Sequence, residues 1–200
     1  MSKEERFARV AEAVVALMLH RGPAEVKLAT IARKAGVSRP WLYKYFGAEP
    51  QEIIAFTVRA WGTRFAELDH SNAAPDVAGW RENILRGTQR GLRDAAETPA
   101  VFELLVRHRN AAGPLGEAVR EIEARHRAAF VRDIPAPLKR DPKAAERFAL
   151  VYSQACTGLY QRWADPRIRA EYDEHAIADE LMALVDAFIH RGGRALPPSP

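Results

Sequence analysis

The side chains of this chain with the clearest chemical use lie in one short run, residues 28–46. Arg39 and Lys44 supply charged donors there, and Tyr43 supplies a hydroxyl between them. Such donors bind phosphate oxygens, and an arginine fork also matches the edge of a guanine base. The run is therefore suited to holding a nucleic acid, provided that the neighbouring residues position it.

Those neighbouring residues predict a helix, a tight turn and a second short helix. Gly36 ends the first helix, because glycine adopts the left-handed conformation at little cost. Ser38 is a good N-cap for the second helix, and Pro40 in its first turn loses no needed N–H. Apolar residues at helical spacing give each helix a buried side; they are Ile31, Ala32, Ala35, Leu42, Tyr45 and Phe46. This pattern is typical of a helix-turn-helix whose second helix enters the major groove of DNA.

The distribution of charge supports that interpretation. Residues 1–47 hold nine Lys and Arg against four Glu, a net charge of +5, whereas the rest of the chain carries −1. Residues 26–47 contain five basic side chains and no acidic one. A solvated basic face without a partner is the alternative. Together with the helix-turn-helix spacing, however, the asymmetry favours a polyanion held by one end of the protein.

Bulk composition is that of an ordinary globular protein, with 48% apolar and 28% charged residues among 200. Cys156 is the only cysteine, which excludes a disulfide within the chain. The longest apolar stretch, 10–19, contains Glu12 and is too short to cross a bilayer. We therefore expect a soluble cytoplasmic protein without membrane association.

Helical periodicity runs through the chain, and no β-hairpin signal interrupts it. We predict an all-α fold of about nine helices, separated by breaks at proline and glycine. Outside the two helices of the motif, the predicted ranges are 3–21, 50–69, 77–97, 99–109, 114–133, 143–165 and 173–191.

The sequence contains no recognisable catalytic or metal-binding constellation. The six histidines are scattered, none lies in an H-E-x-x-H motif, and no Cys/His pair has zinc spacing. Ser153 and Cys156 fall within a predicted helix without a nucleophile elbow. We therefore predict no catalytic residue, no metal and no cofactor; an all-α enzyme would need a constellation that the sequence lacks.

The motif resembles that of the TetR family of transcriptional regulators. The resemblance lies within about residues 8–56 and rests on Ile31-Ala32, Ala35-Gly36-Val37-Ser38, Leu42-Tyr43 and Tyr45-Phe46. It implies a homodimer of nine- or ten-helix protomers, with three N-terminal helices on operator DNA and the rest forming a ligand pocket and the dimer interface. The implied division is a helix-turn-helix domain over 1–48, a ligand-binding and dimerisation domain over 49–192, and a disordered tail over 193–200.

By position, the resemblance implies a phosphate contact for Tyr43 and base contacts for Arg39 and Pro40. Lys44 would reach a base or the backbone. The full set of DNA-binding residues predicted is Lys27, Thr30, Ser38, Arg39, Pro40, Trp41, Tyr43 and Lys44.

Three positions depart from the family pattern. Trp41 replaces a threonine that usually contacts phosphate, and Lys27 replaces the usual threonine cap of the first motif helix. Glu49 lies near the place where a lysine normally meets phosphate, and a carboxylate there would repel DNA. The apolar positions that define the fold are intact.

The region after residue 70 is expected to enclose a small-molecule cavity. The expectation comes partly from the resemblance and partly from aromatic and polar residues at the ends of short, proline-bounded helices. The predicted lining is Trp80, Phe102, Leu105, His108, Asn110, Phe130 and Tyr152. Such a lining favours a hydrophobic effector, including one with a negative group; a fully packed core is the alternative.

The last two long helices each carry more apolar surface than one neighbour can cover, which predicts a four-helix interface between two protomers. The predicted interface residues are Tyr152, Ala155, Leu159, Trp163, Ile177, Leu181, Leu184, Val185 and Phe188. The alternative is that these residues pack only within one protomer.

These predictions together describe a ligand-released repressor that binds a palindromic operator as a homodimer. Activation in place of repression stays open. The main alternative is an all-α small-molecule-binding protein whose DNA binding is weakened or lost, for which Trp41 and Glu49 are the arguments.

Overall fold

The computed structural model describes residues 1–21, 26–69, 74 and 76–192. These residues form ten α-helices and no β-strand, which confirms the predicted all-α fold. The helices are α1 (Lys3–Arg21), α2 (Leu28–Ala35), α3 (Arg39–Phe46), α4 (Pro50–Asp69), α5 (Val77–Glu97), α6 (Pro99–His108), α7 (Pro114–Asp133), α8 (Pro142–Trp163), α9 (Pro166–Glu171) and α10 (Glu174–His190). A single 3-10 turn, Ala136–Leu138, is described between α7 and α8. The tail predicted over 193–200 lies outside the described residues.

Helix α9 is the element that the sequence prediction lacked. It begins after Asp165, whose carboxylate accepts a hydrogen bond of 2.9 Å from the backbone N–H of Arg167, and Pro166 is its first residue. Hydrogen bonds from the Arg167 side chain and backbone lower the pKa of Asp165 to about 2, so the cap is charged at neutral pH. The Asp-Pro pair is itself a helix-start signal, and it separates α9 from α8.

Two compact units divide the chain. The N-terminal unit comprises residues 1–65 and 98–123, so α1, α2 and α3 share one core with the start of α4, with α6 and with the start of α7. Six of its fully buried aliphatic residues are Val10, Val14, Ile31, Leu42, Ile53 and Val119. Because each such burial stabilises by about 1.5–3 kcal/mol, this core holds α2 and α3, which are too short to be stable alone.

The second unit comprises residues 66–97 and those from 124 onward. Helices α5, α8 and α10 pack on one another around an aromatic cluster. The members of this cluster are Trp80, Phe130, Phe148, Tyr152 and Phe188. The rings of Phe148 and Phe188 lie parallel with their centroids 4.2 Å apart, which fastens α8 to α10.

The corner between α6 and α7 leaves no room for a side chain at Gly116. A Cβ atom there would lie 2.0 Å from the carbonyl oxygen of Ala111. That carbonyl also accepts a hydrogen bond of 2.9 Å from the guanidinium of Arg120, which holds it against the helix.

We predict that Gly116→Ala destabilises the protein by about 1–3 kcal/mol, because the loop must move to admit the methyl group. Glu117→Ala alters the exposed neighbouring residue and is the matched control, with an expected loss below about 1 kcal/mol. Urea unfolding followed by circular dichroism measures both. Equal stabilities of the two variants would contradict the tight corner.

Candidate nucleic-acid interface

The turn between α2 and α3 has the geometry that the sequence predicts. Gly36 has φ 66°, in the left-handed region, and Val37 donates its N–H to the carbonyl of Ala32 at 3.0 Å. Ser38 is extended, and its hydroxyl accepts a hydrogen bond of 3.3 Å from the N–H of Trp41. The hydroxyl of Ser38 is thus the cap of α3, which fixes the direction of that helix relative to α2.

Helix α3 presents one continuous outer face. Arg39, Pro40, Tyr43 and Lys44 are exposed, and 49% of Tyr43 is accessible to solvent. Leu42 and Phe46 form the buried face of the same eight-residue helix. A helix of this length measures about 12 Å, which is about the width of the major groove of B-DNA.

A shallow groove of about 320 Å³ lies beside the start of α3. Its lining residues come from α2, the turn and α3, and they are Ala29, Thr30, Ala32, Arg33, Val37 and Arg39. Arg33 and Arg39 are exposed, so two guanidinium groups border a groove whose other lining residues are small. Arg33 was not among the predicted DNA-binding residues, although it lies in the acid-free stretch 26–47.

The positive charge of this region is not neutralised within the part of the chain that the structure describes. No carboxylate of the described residues lies within 4.0 Å of the basic groups of Lys27, Arg33, Lys34, Arg39 and Lys44. The contrast with α5 is plain, since Arg81 pairs with Asp186 at 2.5 Å and Arg93 pairs with Glu174 at 3.2 Å. Unpaired cations on one face are what a phosphate backbone requires.

Trp41, one of the predicted DNA-binding residues, packs against the core of the N-terminal unit. Its ring is half-buried and packs on Tyr45 of α3 and on Phe7 of α1, with centroid distances of 4.7 and 5.2 Å. Phe7 also contacts Phe46 at 5.6 Å and Phe56 at 5.3 Å. Trp41 therefore helps to dock α3 on α1, and this packing explains a large ring where a small hydroxyl residue is usual.

The N-terminus of α2 lacks a side-chain cap. Lys27 has the extended conformation of an N-cap residue, and its carbonyl accepts hydrogen bonds from Thr30 and Ile31, but its side chain caps nothing. Thr30 is half-buried on the first turn and borders the groove. The first N–H groups of α2 therefore receive no acceptor from the Lys27 side chain.

We predict that Lys27→Thr stabilises the protein by about 1 kcal/mol relative to Lys27→Ala, because threonine caps the free N–H groups and alanine cannot. Both variants remove the same charge, so the comparison isolates the cap. The difference between the melting temperatures of the two variants measures the contribution of the cap. Equal midpoints for the threonine and alanine variants would show that the end of α2 needs no cap.

The predicted ligand residues fall into two groups. Trp80, Phe130 and Tyr152 pack in the aromatic cluster of the second unit, where the Phe130 and Tyr152 rings stack at 5.3 Å. The hydroxyl of Tyr152 lies 2.6 Å from that of Thr88, a buried residue that the sequence did not single out. The others belong to the N-terminal unit; they are Phe102, Leu105, His108 and Asn110.

His108 and its neighbours form the polar end of α6. His108 is half-buried, and burial together with Arg107 lowers its pKa, so the imidazole is neutral at pH 7. Asn110 is exposed, and Glu123 of α7 accepts a hydrogen bond of 2.9 Å from Arg109. Neutral His108 offers hydrogen bonds rather than charge to a ligand.

Most of the predicted dimer residues pack inside the second unit. Eight of the nine lie in its hydrophobic clusters, and they are Tyr152, Ala155, Leu159, Trp163, Ile177, Leu181, Val185 and Phe188. Leu184 is the exposed one, at 38%. On α8 the exposed large apolar residues are Leu150 at 44% and Val151 at 57%, which lie outside the nine predicted interface residues.

Neither a metal nor a membrane-crossing helix is indicated among the described residues. No group of three His, Cys, Asp or Glu side chains is placed to hold a metal ion there. No helix in those ranges combines the length and apolar character needed to cross a bilayer.

Comparison with known proteins agrees with the geometry of this site. Residues 11–48, which contain all of α2 and α3 and most of α1, match the family model described as bacterial regulatory proteins, tetR family. A comparison with curated proteins finds no match.

Solved structures share the fold over nearly the whole chain. A tetR-family transcriptional regulator from Streptomyces coelicolor is 21% identical, with 96% of this chain and 85% of that chain covered and a TM-score of 0.73. FadR from Bacillus subtilis, solved with stearoyl-CoA, is 16% identical, with coverages of 92% and 100% and a TM-score of 0.70. A protein from Pseudomonas aeruginosa PAO1 regarded as a transcriptional regulator is 18% identical, with coverages of 97% and 96% and a TM-score of 0.77.

The α2-turn-α3 segment, with the basic outer face of α3, is a helix-turn-helix. Residues 11–48 thus match the tetR family model of bacterial regulatory proteins, and nearly the whole chain shares the fold of solved regulators.

Proposed function

We propose that this protein is a homodimeric repressor that binds a palindromic operator and releases it when a hydrophobic small molecule binds. The observation that carries the DNA-binding part is the outer face of α3, where Arg39, Tyr43 and Lys44 are exposed and no acidic residue lies in 26–47. Each protomer places α3 in one major groove, and two-fold symmetry sets half-sites about 34–36 Å apart, or a multiple of that spacing.

Exposed Glu49 is the feature that opposes tight binding. It precedes α4, and its carbonyl accepts the N–H of Glu52 at 3.1 Å, so the residue is fixed next to the start of that helix. Its carboxylate reduces the attraction for a nearby phosphate without altering the base contacts of α3. We therefore expect moderate affinity with retained sequence preference.

The support for an effector comes from the second unit. The Thr88 and Tyr152 hydroxyls form a buried polar pair beside stacked aromatic rings. A few polar groups within an apolar lining are typical of sites for hydrophobic ligands. FadR from Bacillus subtilis, which shares this fold, was solved in complex with stearoyl-CoA, and this supports an acyl-chain effector.

One experiment tests the regulator and its release together. The full-length protein selects duplexes from a random-sequence library, and the enriched duplex is then titrated with fatty acids, acyl-CoA esters and aromatic acids. We expect a palindrome to be enriched and one compound class to weaken its binding while raising the melting temperature.

Two outcomes of this experiment would contradict different parts of the proposal. If no sequence is enriched while a compound stabilises the protein, the protein is a ligand-binding protein without operator recognition. If a compound binds without changing operator affinity, the release mechanism is wrong, because a ligand with equal affinity for both states shifts nothing.

A further inference from the structure

Two lysines from different helices converge on the ring of Tyr45. The Nζ atom of Lys3, in the first turn of α1, lies 5.0 Å from the ring centroid. The Nζ atom of Lys44, in the last turn of α3, lies 5.4 Å from the same centroid. The two ammonium groups are thus at most about 10 Å apart, although the residues are far apart in the chain.

The ring between them is held in a fixed position. Tyr45 packs on Trp41 at 4.7 Å and on Phe7 at 5.4 Å, so it cannot move with either lysine. Lys3 also lies 5.7 Å from the centroid of Phe7, which gives its side chain a second aromatic surface. An ammonium over an aromatic face is attracted by the ring, so the cluster restrains a side chain that is otherwise among the most flexible.

The local acids do not form an ion pair with Lys3 in the described structure. Glu5 accepts the N–H of Ser2 at 2.8 Å and lies 4.0 Å from the N-terminal amine. Hydrogen bonds from its own N–H and from Ser2 lower the pKa of Glu4, with a smaller contribution from the charge of Lys3. Both carboxylates therefore interact with groups at the N-terminal end of α1. Neither lies within 4.0 Å of the Lys3 ammonium in the described structure.

We propose that Lys3 is a DNA-backbone contact, placed beside Lys44 by the ring of Tyr45, so that α1 as well as α3 binds phosphate. The inference rests on the proposed DNA binding. When the N-terminal end of α3 is at the base edges, its C-terminal turn is about 12 Å away, which is the distance across the groove to a strand backbone. Both exposed ammonium groups lie at that end.

The test is the salt dependence of binding to one mixed-sequence duplex, because phosphate contacts do not depend on sequence. Lys3→Gln is compared with Lys44→Gln and with the wild-type protein by fluorescence anisotropy. The proposed homodimer carries Lys3 twice, so the variant loses two phosphate contacts, which lowers the slope of log affinity against log salt by about 1.8. Between about 50 and 200 mM salt the wild type then loses about 12-fold more affinity than Lys3→Gln.

Two further variants separate a contact from a structural role. Lys143→Gln removes an exposed lysine of α8 in the second unit, and we expect it to keep the wild-type slope. Lys3→Arg keeps the charge and is expected to restore the slope that Lys3→Gln loses. Circular dichroism verifies that each variant is folded.

A lowered melting temperature of Lys3→Gln with an unchanged slope would overturn the inference and leave the proposed function intact. So would an equal fall in slope for Lys143→Gln, because the effect would then be one of net charge. Absence of DNA binding by the wild-type protein at low salt would overturn both proposals.

Discussion

Arg39→Ala is expected to abolish the preference for one base pair in each operator half-site. Arg39 is the first residue of α3, is exposed, borders the groove beside α2 and has no carboxylate within 4.0 Å among the described residues. The N-terminal residues of a recognition helix contact base edges. An arginine there can donate two hydrogen bonds to O6 and N7 of guanine, which alanine cannot replace.

The expected loss is about 1–3 kcal/mol, or about 5- to 150-fold in affinity, for duplexes that carry the preferred base. Duplexes with another base at that position lose less, so the variant is both weaker and less selective. Selection from a random-sequence library by the wild type and by Arg39→Ala measures the change position by position.

Lys34→Ala is the matched control for charge. Lys34 is an exposed cation of α2 outside the groove lining, so its removal is expected to weaken binding to all sequences alike. Tyr43→Ala is expected to behave in the same way, since a phosphate contact carries no sequence information. If Arg39→Ala folds and selects the same DNA sequence as the wild-type protein, the assignment of α3 as the recognition helix is wrong.

The parts of the fold that follow from neighbouring residues were predictable from the sequence. Gly36 has the left-handed conformation and Ser38 caps α3, as their residue types and positions indicated. The helix starts at Val77 and Pro114 were also predicted, since a proline or a loop residue precedes a periodic apolar pattern at each. These features depend on interactions within a few residues.

Features that depend on distant residues were not predictable in this way. Trp41 lies against Phe7, and Lys3 lies against Tyr45, although about forty residues separate the members of the second pair. Helical spacing showed that Phe188 belongs to a buried face, but not that Phe148 of its own protomer covers it. Periodicity identifies which face of a helix is buried, whereas the identity of the covering element requires the tertiary structure.

The predicted dimer interface illustrates the same limit. The apolar faces of α8 and α10 pack on each other within the second unit. The surface available to a second protomer therefore lies beside those faces. It contains the exposed residues Leu150, Val151 and Leu184. Phe148 contacts Phe188, while Trp163 and Ala178 share a hydrophobic cluster, so the two helices run antiparallel.

Because α8 and α10 are antiparallel, these exposed apolar residues lie at similar positions along the axis of the helix pair. Val151 and Leu184 then lie within about one helical turn of each other along the helix pair. Small residues on the same exposed faces allow a partner helix to approach closely; they are Gly158, Ala183 and Ala187. We therefore expect the homodimer to form a four-helix interface through this face of α8 and α10.

Val151→Glu and Leu184→Glu are each expected to convert the dimer into a monomer. In an interface with two-fold symmetry each substitution buries two unpaired carboxylates. At about 3 kcal/mol or more for an uncompensated buried charge, the dissociation constant of the dimer rises by about a hundred-fold or more. Light scattering at micromolar concentration measures the change from twice the chain mass to the 22.3 kDa of one chain.

Tyr172→Glu is the control, because Tyr172 is a comparably exposed apolar residue, at 50%, outside helices α8 and α10. It is expected to remain dimeric. The monomeric variants keep an intact α3 but engage only one half-site at a time, so their affinity for a palindrome falls to that for a single half-site. A wild-type protein that scatters as a 22.3 kDa species would contradict the dimer. Variants that stay dimeric would instead place the interface on another face of the protein.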